Sequence, residues 1–192
     1  MLTKEDYLAF RRKFEPQPVR LVVVAESPPK NQTYLYNPAG HTNEWLFSAL
    51  MKQLGHMPKT KEEGLRELQR HGWVLLDATY EPVDWLGQQV NKRNAIVERD
   101  YPLLVTALEE LSPDRNAAII LIKANVCKLL DWRLTKDGFN VLNKGITVPF
   151  PSHGQQFKFR AQFARLLRTA ALSDRMEEEA PRTRALQNER SP

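Results

Sequence analysis

The stretch Leu21–Tyr36, "LVVVAESPPKNQTYLY", decides how the rest of the chain is read. An unbroken apolar run of Leu and Val reads as a strand buried on both faces, the mark of a parallel sheet. The run ends abruptly at Glu26, followed by Ser-Pro-Pro and a loop rich in Tyr, Asn and Gly. In open α/β sheets ligands bind outside the carboxyl ends of the strands, and Glu26 stands at such an end.

Outward from that strand, the pattern alternates. Thr3 is placed to cap a first helix bearing Tyr7, Leu8, Phe10 and Phe14, and the first strand covers Arg20 to Ala25. A helix from Thr42 carries Leu46, Phe47, Leu50, Met51 and Leu54 at helical spacing. Thr60 and Glu63 form a potential capping box for a short helix that ends near Gly72. "WVLLDATYEPV", Trp73–Val83, gives a second strand and its exit loop. Asn91–Leu111 reads as helical with a break before Pro102, and "AAIILIKANVCKLL", Ala117–Leu130, as a third strand and a helix. Gly145–Val148 reads as a short fourth strand, "PFPSHGQQ" as its exit loop, and Gln156–Leu172 as a last helix with Phe157, Phe163, Leu166 and Leu167 available to the core. This order predicts an α/β fold, a three-layer α/β/α sandwich around a short, mostly parallel four-stranded sheet.

Composition narrows the class. The chain has 192 residues, enough for one domain, and a formal charge of +5 that permits a polyanionic partner. One cysteine, Cys127, rules out an internal disulfide or a four-cysteine iron–sulfur cluster, and His41, His56 and His71 show no ligand spacing, so no metal is expected. The charged amino-terminal segment and the absence of a long apolar run predict a soluble, cytoplasmic protein without a membrane span. A single domain is expected over residues 1–172. Residues 173–192 hold four Arg against five acidic residues, −1, which leaves about +6 on the body, and read as a disordered tail. The strand exits lack glycine-rich phosphate loops, so a nucleotide cradle is not expected.

A parallel sheet gathers the exit loops on one edge, bringing together Glu26 to Tyr36, Asp77 to Val83, Lys123 to Asn125 and Pro151 to Gln156. Carboxylates, aromatics and an amide at one rim suit a flat polar ring.

These loops resemble those of the uracil-DNA glycosylase superfamily. Its first motif, Gly-Glu-x-Pro-Gly in several branches, is similar to Ala25-Glu26-Ser27-Pro28-Pro29. Its last motif, His-Pro-Ser and a loop that enters the DNA minor groove, is similar to Phe150-Pro151-Ser152-His153-Gly154-Gln155-Gln156. Val74–Ala78 lies where the superfamily has a strand ending in the Asn that reads uracil. Three positions depart from the pattern: Ser27 stands for an Asp, Asp77 for the base-reading Asn, and Phe150 for the His that stabilises the departing base.

The resemblance implies a monomeric, monofunctional enzyme that hydrolyses the N-glycosidic bond of deoxyuridine in DNA, releasing free uracil and leaving an abasic site, and it implies no cofactor. It implies Glu26, Asp77 and His153 as catalytic residues. Ser27, Tyr36, Asp77 and Asn125 would hold the base, with Tyr36 as stacking platform. Ser152, Gln155, Gln156, Lys158 and Arg160 would meet DNA. Glu26 is expected to hold water or to stabilise the sugar cation, and Asp77 to read the base or to act itself as the catalytic carboxylate. The alternative is a glycosylase-fold module that binds damaged DNA with little or no catalysis.

Overall fold

The computed structural model describes residues 2–30 and 33–170. Its sheet has three strands, all parallel, in the order β2-β1-β3: β1 is Leu21–Ala25, β2 Trp73–Asp77 and β3 Ala118–Leu121. The register sets Leu21 beside Trp73 and Ala118, and Ala25 beside Asp77. β1 is central and buried at all five positions, as its unbroken apolar run requires. The helices are α1 (Lys4–Arg12), α2 (Trp45–Leu54), α3 (Lys61–Arg70), α4 (Val90–Leu111), α5 (Ala124–Lys136) and α6, helical through residues 156–170.

Local chemistry starts these helices. Thr3 and Asp6 close a full capping box on α1. At α3 the Thr60 hydroxyl accepts from the Glu63 amide, while the Glu63 carboxylate turns to the Lys59 amide, so the box is only half closed. α2 begins at Trp45 and not at Thr42, because His41–Glu44 forms a turn in which the Glu44 carboxylate accepts from the His41 amide. α4 runs through Pro102 without ending. Burial of Val97, Tyr101, Leu104 and Leu108 on either side of Pro102 secures one apolar face and outweighs the single lost backbone bond. In α6 the inward residues are Phe159, Phe163 and Leu166, whereas Phe157 points outward and is 74% exposed.

The expected fourth strand is absent among the described residues. Residues 140–148 run beside β3 but touch it as isolated parallel bridges, Ile119 with Val141 and Ile122 with Val148. Between these bridges the buried side chain of Asn143 takes over the role of a backbone: its Oδ1 accepts from the Leu121 amide at 2.7 Å and its Nδ2 donates to the Leu121 carbonyl at 3.1 Å. Nδ2 also donates to the Ile146 carbonyl, closing the turn that interrupts the strand. The opposite border is finished in the same way. The Tyr36 hydroxyl accepts from the Leu75 amide at 2.6 Å and donates to the Leu75 carbonyl at 3.3 Å, on the open side of β2.

The expected carboxy-terminal tail, residues 173–192, lies outside the described residues. No described helix is long and apolar enough to cross a membrane.

Removing the Asn143 amide leaves the buried Leu121 amide unpaired and its carbonyl with only the weak Cys127 thiol donor. Asn143→Ala should therefore cost about 2–4 kcal/mol, lowering Tm by roughly 5–15 °C in a thermal melt. An unchanged Tm would mean that water or a strand shift replaces the amide.

Candidate functional site

At the carboxyl edge of the sheet the chain leaves β1 and β2 as neighbours, which puts Glu26 and Asp77 on one cavity of about 740 Å³. Ser27, Pro28, Trp45, Asp84, Lys123, Phe150 and Ser152 also line it. Its size falls within the range of sites for small ligands, so one nucleoside fits.

Glu26 is 4% exposed, and its carboxylate is fully engaged. Oε1 accepts from Arg93 Nε at 3.0 Å and from Asn125 Nδ2 at 2.6 Å; Oε2 accepts from Arg93 Nη2 and Lys123 Nζ. Burial alone raises a carboxyl pKa, but the hydrogen bonds and charges of Arg93, Lys123 and Asn125 outweigh it and hold Glu26 below the usual glutamate value. Glu26 is thus an anion whose lone-pair directions are occupied. For Lys123 the balance runs the other way: burial pulls its ammonium below the ordinary lysine value against the support of Glu26. Lys123 also holds a φ of 78°, a region that costs a non-glycine residue. The bond from its amide to the Val148 carbonyl fixes the backbone, and the ion pair to Glu26 fixes the side chain.

Asp77 is equally buried, at 4% exposed, yet its Oδ2 has no hydrogen-bond partner among the described residues. Burial pushes its pKa up to about 7, and the Arg11 charge only partly opposes this. The Arg11 guanidinium is bonded elsewhere, to Glu15 and to the Tyr80 hydroxyl. Two carboxyl groups on one cavity are therefore driven apart, one held ionised and one exchanging its proton near neutral pH, the pattern by which acid and base tasks are divided at a single pH.

The remaining expected residues divide. Ser27 and Ser152 line the cavity, the Ser27 hydroxyl accepting from the Val83 amide at 3.3 Å. Asn125 does not line it; its amide is turned to Glu26 and Asn94, so it positions the carboxylate and does not hold a base. Tyr36 is not available as a stacking platform. It is 1% exposed, its ring stacks on Phe14 at 6.5 Å and its hydroxyl is tied to β2. Its burial follows from the need to complete the sheet border. His153 stands outside the cavity lining, in a left-handed turn with φ 45°, its ring 5.9 Å from that of Trp45. Gln155, Gln156, Lys158 and Arg160 are exposed on and before α6.

Sequence reasoning missed Arg93, Trp45 and the wall that carries Trp45. Trp45 is 50% exposed and lines both the main cavity and a neighbouring groove of about 480 Å³. That groove is bordered by Lys52, Gln156, Phe157 and Arg160. The wall is held by the buried Lys61, whose ammonium donates to Glu44 at 2.5 Å and to the Tyr34 carbonyl at 2.8 Å. A Cβ at Gly40 would lie 2.3 Å from Glu44 Oε1 and 2.7 Å from Lys61 Nζ, so a larger residue there would have to displace this ion pair. A buried strand-end carboxylate requires a cation, which was the available signal for Arg93. Among the described residues no three His, Cys, Asp or Glu side chains converge in a metal-holding cluster.

Asp77 leaves a signature in stability. A carboxyl whose pKa is raised from 3.8 to about 7 on folding binds its proton more tightly in the folded state. The folded state therefore loses stability as pH rises from about 4 through about 7. Asp77→Asn removes that penalty, so the variant should exceed the wild type by about 2–4 kcal/mol at pH ~8, with the gain vanishing near pH ~4, in denaturant melts across pH. A gain independent of pH would show that Asp77 is not protonated on folding.

Compared with known proteins, the chain matches no family model, no curated protein and no solved structure.

Proposed function

We propose that the chain is a DNA glycosylase of the uracil-DNA glycosylase superfamily, an α/β/α sandwich that removes uracil from DNA and leaves an abasic site. The observation that carries the reading is the joint presence, on one cavity at the carboxyl edge of the sheet, of an ionised Glu26, an Asp77 whose pKa is raised to about 7 and the Phe150–Ser152 loop. These come from the three segments whose motifs resemble the superfamily's.

Breaking the N-glycosidic bond builds positive charge on the sugar and negative charge on the departing base. Glu26 acts on the sugar electrostatically. With its lone pairs engaged by Arg93, Lys123 and Asn125, it has no free direction in which to hold a nucleophilic water. The water therefore enters from solvent, its oxygen bonding to the sugar carbon as the C–N bond breaks and its proton passing to the departing base anion. Lys123 lines the cavity and takes the part of the missing His, donating to the uracil oxygen as the base leaves as an anion. The flanking DNA lies over Trp45, Phe157 and the cations Lys52, Lys158 and Arg160, where exposed aromatics stack on bases and the charges meet phosphate.

A second reading is favoured by the same Glu26 geometry. A carboxylate neutralised by two cations, a Ser27 hydroxyl engaged by Val83 and Phe150 in place of a donor describe a module that binds an extruded base without cutting it.

A uracil-containing oligonucleotide separates the two, since an enzyme converts it to an alkali-labile product and a binder only retards it. For an enzyme, Glu26→Gln should slow single-turnover excision roughly 10- to 1,000-fold and Lys123→Met about 100-fold, with DNA affinity kept. Wild-type retardation without product would establish the binding module.

A further inference from the structure

The charges at the carboxyl end of β1 do not balance: one carboxylate, Glu26, lies between two cations, Arg93 and Lys123. Arg93 engages both oxygens of Glu26, so its guanidinium alone neutralises the acid. Lys123 adds a second cation on Oε2, and among the described residues Glu26 is the only hydrogen-bond partner of its side chain. Asp84, another acid on the cavity, is exposed to solvent and accepts from the backbone amides of Lys30 and Trp85. Glu44 is committed to the buried Lys61. Loss of one proton from Lys123 therefore leaves the group around Glu26 neutral, and burial favours that loss.

Position points the same way. The side chains of Glu26 and Arg93 are 4% and 13% exposed, whereas that of Lys123 is 36% exposed. Among the described residues Lys123 is also the only lysine that lines the cavity. Lys61 is sealed beneath the wall, and the Lys30 ammonium lies over the Trp85 ring at 5.3 Å. The left-handed backbone of Lys123 is held by the bond from its amide to the Val148 carbonyl, so its amine is presented from a fixed base.

We infer that Lys123 is the nucleophile of a second activity at this cavity, an abasic-site lyase that cuts the DNA strand after the base has gone. The inference rests on the glycosylase reading for the supply of the abasic sugar, and its chemistry is separate. The ammonium first gives one proton to water at the cavity mouth. The amine lone pair then bonds to C1′ of the ring-opened sugar aldehyde, and the resulting carbinolamine takes back one proton and loses its oxygen as water, leaving a protonated imine. A C2′ proton passes to Glu26 Oε2, from which Lys123 has withdrawn. The C–H electron pair becomes the C1′=C2′ bond, and the imine π pair moves onto nitrogen. The enamine so formed returns that pair, breaks C3′–O and expels the 3′ phosphate. Water hydrolyses the remaining imine, releasing an unsaturated aldehyde and restoring the amine.

An oligonucleotide carrying a preformed abasic site tests this without any need for base removal. With the full chain and sodium cyanoborohydride, which reduces an imine to a stable amine, it should give a covalent protein–DNA adduct on a denaturing gel. Digestion of that adduct should map the link to Lys123. Without the reductant the wild type should cut the abasic strand, leaving a 5′ phosphate on the downstream fragment. Lys123→Arg keeps a cation beside Glu26 but offers no nucleophilic amine, and should lose both adduct and cleavage. No adduct from the wild type, an equal yield from Lys123→Arg, or a link at another lysine or at the amino terminus overturns the inference. The mapping is made on the wild type, so it decides the matter even where Lys123→Arg does not fold. Uracil release without an adduct removes the lyase and keeps the glycosylase. An adduct at Lys123 on abasic DNA without uracil release removes the glycosylase and keeps the lyase.

Discussion

The carboxylate of Glu26 is the joint on which the cavity depends. It stands at the end of the central strand and accepts hydrogen bonds from α4 through Arg93, and from the start of α5 through Lys123 and Asn125, partners 67 to 99 residues away in sequence. Breaking a buried ion pair on one side leaves an uncompensated charge, which costs more than the pair contributes in place. Here two cations lean on one anion. The loss of Glu26 therefore disturbs two helices and the strained backbone of Lys123 together.

The cavity wall follows a similar logic at lower stakes. Lys61 is buried beneath the loop before α2 and holds it by a carboxylate and a carbonyl, and that loop delivers Trp45 to the rim. Trp45 stands half exposed between the cavity and a basic groove, a flat apolar surface shared by both. Sequence and tertiary structure thus divide the labour: the strand exits carry the polar groups, and the helices and loops around them carry the flat surfaces.

Much of this was legible in the chain. The Val run of β1 and the shorter run of β2 announced parallel strands, and a parallel sheet has only one edge for its exits, so Glu26 and Asp77 were bound to meet. What stayed hidden depends on distant partners. Arg93 sits in a polar helical stretch that looks solvated until Glu26 is placed against it. Tyr36 reads as a loop aromatic because nothing local says that its phenol finishes a strand. Gly145–Val148 has the apolar character of a strand, but Asn143 captures the backbone of Leu121 first, and pairing is broken into separate bridges. Pro102 follows a sound local rule that the apolar face of α4 overrules.

The borders of the sheet carry a last implication. At Leu75 and at Leu121 the outward backbone is bonded to a phenol and to a carboxamide, where an ordinary sheet offers bare amides and carbonyls to any passing strand. A side chain can finish a border but cannot be copied along it, so growth by strand addition stops at both positions. The loop that shapes one wall of the cavity is, through Tyr36, also a guard against self-association. The shape of the cavity and the protection of the sheet border are joined in this chain, so a change to the first exposes the second.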